Sequence, residues 1–190
     1  NWGFRLGKEA LAIGGFEYDA APIDVHYYTR FWGTIYCFHL GASVIFTDNS
    51  KSNKLILQVA NSPHVHYGAG GQPWNSGLLS YSLMWCGDFS HFKTLYSVNM
   101  IERSRGKFVN YISLGNKLDF EHWSWYVDYM NRAAVYNKYF SDFTLVSRLD
   151  VKFNKLNFFV CIGRESVYGN YAGQTVNALD VVHVLQKVRK

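Results

Sequence analysis

The chain has 190 residues, 48% of them hydrophobic and 18% aromatic, and carries 19 Lys plus Arg against 14 Asp plus Glu for a net charge of +5. That length suits one domain with one core. Its longest apolar runs, residues 40–46 and 158–162, fall far short of the roughly 20 residues a membrane helix needs, so a soluble domain with no membrane partner is expected. The mild charge excess lacks the dense basic stripe usual in nucleic-acid domains.

Asn1 opens the chain without a start Met or a signal-peptide pattern, as processing from a longer precursor would leave it. Period-two alternation written in β-branched and aromatic residues then dominates, which predicts strands. A weak pair is expected at residues 2–6 and 11–18 around Gly14 and Gly15, followed by strands at 34–46 and 54–60. Residues 61–76 hold Pro63, Gly68, Gly70, Gly71 and Pro73 and predict a long contact loop.

In the next stretch Leu79, Tyr81, Leu83 and Trp85 alternate with Ser80, Ser82 and Cys86, which predicts an apolar face on the core and a polar outer side. Phe92 to Met100 repeats the pattern before the basic turn 102–106. Further strands are expected at 108–113, 123–130, 143–149 and 156–162. Residues 177–187 could be a short helix, though their valines suit an extended tail equally. Strands at this spacing, with no long helical period between them, predict an all-β antiparallel sandwich or barrel.

No constellation points to catalysis. His64 and His66 could offer two nitrogens to a metal but lack a third ligand at familiar spacing. Asp88, Ser90 and His91 have the side-chain types of a hydrolase triad without a nucleophile elbow around the serine. The run Gly68 to Gly71 reads as a turn, not a phosphate loop, because Gln72, Pro73 and Trp74 follow it. Trp123 and Trp125 share a strand face and are expected in the core or an interface. Cys37, Cys86 and Cys161 sit in apolar alternating stretches and are expected as free, buried thiols; with no Asn-x-Ser/Thr triplet present, they suggest a reducing compartment.

Residues 31–38, Phe-Trp-Gly-Thr-Ile-Tyr-Cys-Phe, resemble an early strand of picorna-like capsid proteins. Residues 54–59 and 92–101 resemble the strands that follow it there. Residues 125–128 and 143–153, the latter carrying Arg148 and Asp150, are similar to the aromatic and closing strands of comovirus- and fabavirus-type small coat proteins. The resemblance implies an eight-stranded antiparallel jelly-roll β-sandwich filling residues 1–190, with 176–190 as a C-terminal tail or short helix.

It further implies a structural coat subunit without enzymatic activity or cofactor. Such a subunit assembles with a larger coat protein into an icosahedral virion around genomic RNA in the host cytoplasm. In that setting Arg103, Arg105 and Lys107 are the candidate contact to RNA or another anion. His64, His66, Tyr67 and Trp74 are the candidate subunit-contact loop. A lectin-like module is the alternative, with Tyr67 and Trp74 as a sugar platform, and a hydrolase built on Asp88, Ser90 and His91 is a third reading.

Overall fold

Extended chain is the low-energy choice for stretches in which branched or aromatic side chains alternate with small polar ones, because each kind then occupies its own face of a pleat. A computed structural model describes residues 1–10, 12–16, 38–61, 77–134, 141–153, 156–167 and 174–180. They form β1 (Trp2–Ala10), β2 (Phe38–Thr47), β3 (Asn53–Asn61), β4 (Leu79–Phe89), β5 (Phe92–Ser104), β6 (Lys107–Asp119), β7 (Trp123–Ala134), β8 (Ser141–Phe153), β9 (Leu156–Val167) and β10 (Gln174–Asp180). All pairings are antiparallel, and every strand neighbours the one next in sequence, in a single sheet with β1 and β10 at its edges.

The all-β antiparallel expectation is therefore met, but the eight-stranded jelly roll is not. A jelly roll divides its strands between two sheets and sets non-consecutive strands side by side, whereas here the order is a plain meander of ten. The strand forecast at 34–46 begins at Phe38 within the described residues, and the one forecast at 11–18 is not a strand where it is described. Residues 176–180, read as the start of a tail or short helix, belong to β10, where pairing with β9 outweighs a weak helical period. Residues 181–190 lie outside the described part.

The strands are strongly inclined. One row of paired residues joins Thr47 of β2 to Cys86 of β4, Gly115 of β6 and Val146 of β8. It meets β2 at its last residue but β8 seven residues before its end at Phe153. Seven residues of 3.3 Å, gained over six strand steps of about 4.8 Å, correspond to an inclination of roughly 40°.

Connections at one end of the strands are short. Ser90 and His91 form a two-residue turn between β4 and β5, with Ser90 at φ 63°. Asp48 organises the β2–β3 turn: its carboxylate accepts from the Asn53 backbone N–H (3.2 Å), Asn53 Nδ2 (2.8 Å) and the Ser50 hydroxyl (2.9 Å). The Asn53 side chain leads in holding this carboxyl below its ordinary value of 3.8, against a smaller opposing effect of desolvation. A depressed folded-state value stabilises above the unfolded pKa and is lost as pH falls through the folded one. Protection of the Asn53 amide in hydrogen exchange should therefore hold at neutral pH and decline below about pH 4, and Asp48→Asn should remove that acid-side step.

The alternation was read correctly, but its faces are reversed. Leu79, Tyr81 and Leu83, expected on the core, are exposed, while Ser80 and Ser82, expected outside, are buried. The same inversion runs through the described strands: Leu57 (50% exposed), Val98 (49%) and Ile162 (53%) point outward, next to buried Gln58 (4%), Asn99 (0%) and Cys161 (4%). Trp123 and Trp125, expected in a core or interface, stand on the outward face, 37% and 42% exposed.

Candidate functional site on the inner face

The outward face is a continuous apolar band edged with aromatic rings. At the end with short turns, Trp2 packs on Phe46 (centroids 5.0 Å), Trp85 meets Tyr96 edge-on (5.4 Å), and His91, Phe120 and Trp123 stack in series (4.6 and 4.5 Å). At the opposite end Tyr81 meets Phe108. Polar groups here are tied into pairs: Tyr96 Oη donates to Asn116 Oδ1 (2.6 Å), Trp125 Nε1 to the Ser147 hydroxyl (2.9 Å) and Trp85 Nε1 to Asn53 Oδ1 (3.1 Å).

The inner face carries the buried polar groups, beside buried apolar ones such as Ile101, Tyr111, Met130 and Val146. Its buried polar side chains include Ser43, Gln58, Ser97, Asn99, Asp128 and Arg148. Arg148 and Asp150, two apart on β8 and so on the same face, form a forked ion pair: Nε donates to both carboxylate oxygens (2.9 and 3.1 Å) and Nη2 to Oδ1 (2.5 Å). The guanidinium also lies 4.2 Å over the Phe159 ring. Nearer the short turns, Lys93 Nζ and Lys117 Nζ lie 3.4 and 3.5 Å from Asp119 Oδ2.

Between β1 and β2 the chain turns inward, and residues 12–16 lie against this polar surface with Ala12 to Gly15 fully buried. Side chains of the wall meet two of the segment's backbone donors. Ala12 N–H donates to Gln58 Oε1 (2.9 Å), and Gly14 N–H is shared between the hydroxyls of Ser97 (3.0 Å) and Ser113 (3.1 Å). Those hydroxyls bond each other at 2.6 Å, and Asn99 Nδ2 donates to Ser97 at 2.9 Å. Gln58 Nε2 in turn donates to Glu9 Oε2 (3.3 Å), which also accepts from the Ser43 hydroxyl.

Phe16 closes the segment, its ring 6.4 Å from Tyr126 and packed on the cluster of Tyr126, Val146, Phe159 and Cys161. Two glycines make the fit possible. A Cβ on Gly14 would stand 2.7 Å from the Leu95 carbonyl oxygen, and one on Gly115 would stand 2.7 Å from Asp128 Oδ1 and 3.3 Å from Phe16. Five residues extend at most about 17 Å, yet the segment meets side chains of β3, β5, β6 and β7 and a cluster that continues to β9, so the sheet curves around it. A cavity of about 340 Å³ remains on the short-turn side, bordered by Phe16, Thr47, Lys54, Cys86, Lys93 and Thr94.

The residues singled out in the sequence fall elsewhere. Arg105 and Lys107 are exposed at the β5–β6 hairpin, and Arg103 belongs to β5 beside it. His64, His66, Tyr67 and Trp74 lie outside the described residues, as does Cys37. Cys161 is buried and Cys86 half-buried. Asp88, Ser90 and His91 do not converge: Asp88 lies 4.0 Å from Lys93, Ser90 sits in the turn, and the His91 ring nitrogen lies 3.0 Å from the Asp119 carbonyl oxygen.

The inner polar row and the docked segment were not anticipated. Their signal was present as small polar residues at alternate positions in strand after strand. The chain matches no protein-family model, no curated protein and no solved structure.

Proposed function

We propose that this chain forms the wall of a transmembrane β-barrel of the outer-membrane type, with lipid against its outer face and water within. The observation that carries this reading is the polarity of the sheet: leucine, valine and aromatic rings stand exposed on the outer face, while serine, asparagine, glutamine, aspartate and arginine are turned inward among apolar side chains. Among the described residues no helix is long and apolar enough to cross a membrane, but strands of 9 to 13 residues such as β1 to β9 match the 9–11 that span a bilayer at a slant. An inclination of roughly 40° lies in the range of such barrels, and their rings gather at the two interfaces as they do here.

The coat-protein and lectin readings both call for two sheets stacked by their apolar faces, and the consecutive strand order favours the barrel over either.

The test is refolding of the full chain into phosphatidylcholine vesicles. Unheated samples should migrate apart from boiled ones in a denaturing gel, and brominated lipids should quench tryptophan emission. A folded monomer in detergent-free buffer that ignores vesicles would overturn the reading.

A further inference from the structure

Resting on the barrel reading, we propose that residues 12–16 form a built-in constriction across the interior, latched by Gln58, Ser97 and Ser113, which narrows the passage and widens it when the latch lets go. Four consecutive residues of non-strand backbone are buried against a sheet whose strands pair with one another and not with them. The N–H groups of Ala12 and Gly14 are met by side chains of the wall. Such bonds are individually modest and independent of the ladder, so the segment can leave while the wall stays whole.

The wall is shaped for its presence. Gly115 leaves the room that Phe16 approaches, and Gly14 passes the Leu95 carbonyl at a distance no side chain would tolerate. Phe16 is the apolar end of the latch, seated against Tyr126. The cavity it borders is also lined by Lys54 and Lys93, so wall side chains leave space beside the segment. On the barrel reading that space belongs to the passage the segment restricts, whose polar groups suit small hydrophilic solutes.

The experiment is single-channel recording of the full chain in planar phospholipid bilayers, comparing wild type with Ser97→Ala/Ser113→Ala and with Phe16→Ala. Wild type should dwell in a narrow state with rare excursions to a wider one. Each variant should raise the time spent wide by roughly tenfold, as loss of two hydrogen bonds or an anchoring ring would shift a two-state balance.

Phe16→Ala leaves every hydrogen bond of the wall in place and serves if the double serine variant does not fold. Variants that insert, as judged by the gel shift, but give traces indistinguishable from wild type would overturn the constriction while leaving the barrel standing. A wild-type chain that does not enter vesicles at all would overturn both.

Discussion

Leu57→Arg should lower the stability of the bilayer-folded protein by about 2–4 kcal/mol, the cost of a cation on the lipid face near the midplane, whereas Ile56→Arg, one residue away, should cost far less. The two positions are adjacent in the nine-residue β3, Leu57 at its centre and half exposed, Ile56 on the inner side. On the barrel reading an arginine at 57 would have only hydrocarbon to meet, but one at 56 would extend along a surface that already carries Ser43, Gln58 and Lys54. Denaturant titration of vesicle-embedded protein, followed by tryptophan emission, measures both. For a water-soluble sheet the ranking reverses, since an exposed Leu57 would accept arginine at little cost and a half-buried Ile56 would not. The sign of the difference between two neighbouring substitutions is thus a direct readout of which side of the wall faces lipid.

That sign was not available from the sequence, and the reason is physical. Period-two alternation specifies that Leu79, Tyr81 and Leu83 share one face and Ser80 and Ser82 the other, and the structure agrees. It does not specify which face is buried, because the pleat is symmetric and only the surrounding solvent breaks the symmetry. Assigning the apolar face to a core is correct in water and inverted in lipid. The absence of a helical span carried no information about a membrane crossed by strands, whose signal is weak in any one segment. The strands forecast between residues 54 and 162 were legible for the same reason that their faces were not.

The arrangement of strands was less legible than their existence. A sandwich and a meander use the same alternating segments and differ in which pairs meet, which depends on the connections. The short turns at Ser90–His91 and around Asp48 favour sequential hairpins, and their regular recurrence at one end of the strands was the available clue. The docked segment had no periodic signature: residues 12–16 were read as part of a weak strand. Their placement depends on donors at Ala12 and Gly14 meeting side chains 46 to 99 positions away, contacts that only the folded sheet brings together.

Asp150→Ala should destabilise the protein by about 3 kcal/mol, at the low end of the cost of stripping one partner from a buried ion pair, while the double variant Arg148→Met/Asp150→Leu should lie within about 1 kcal/mol of wild type. Arg148 is only 5% exposed and covers the Phe159 ring, so its guanidinium has little access to water once its carboxylate is removed. Asp150 is less enclosed, its side chain 23% exposed, which sets the expectation at the lower bound. Methionine replaces the stem of Arg148 over Phe159 and leucine fills the carboxylate's place, so the pair can be removed together without stranding a charge. Equilibrium unfolding of Arg148→Met, Asp150→Leu and the double variant closes a thermodynamic cycle, expected to give a coupling energy of at least about 2 kcal/mol. Should Asp150→Ala prove neutral, the interior at that depth would be wet enough to solvate an unpaired arginine, and the pair would have no structural role beside a widened passage.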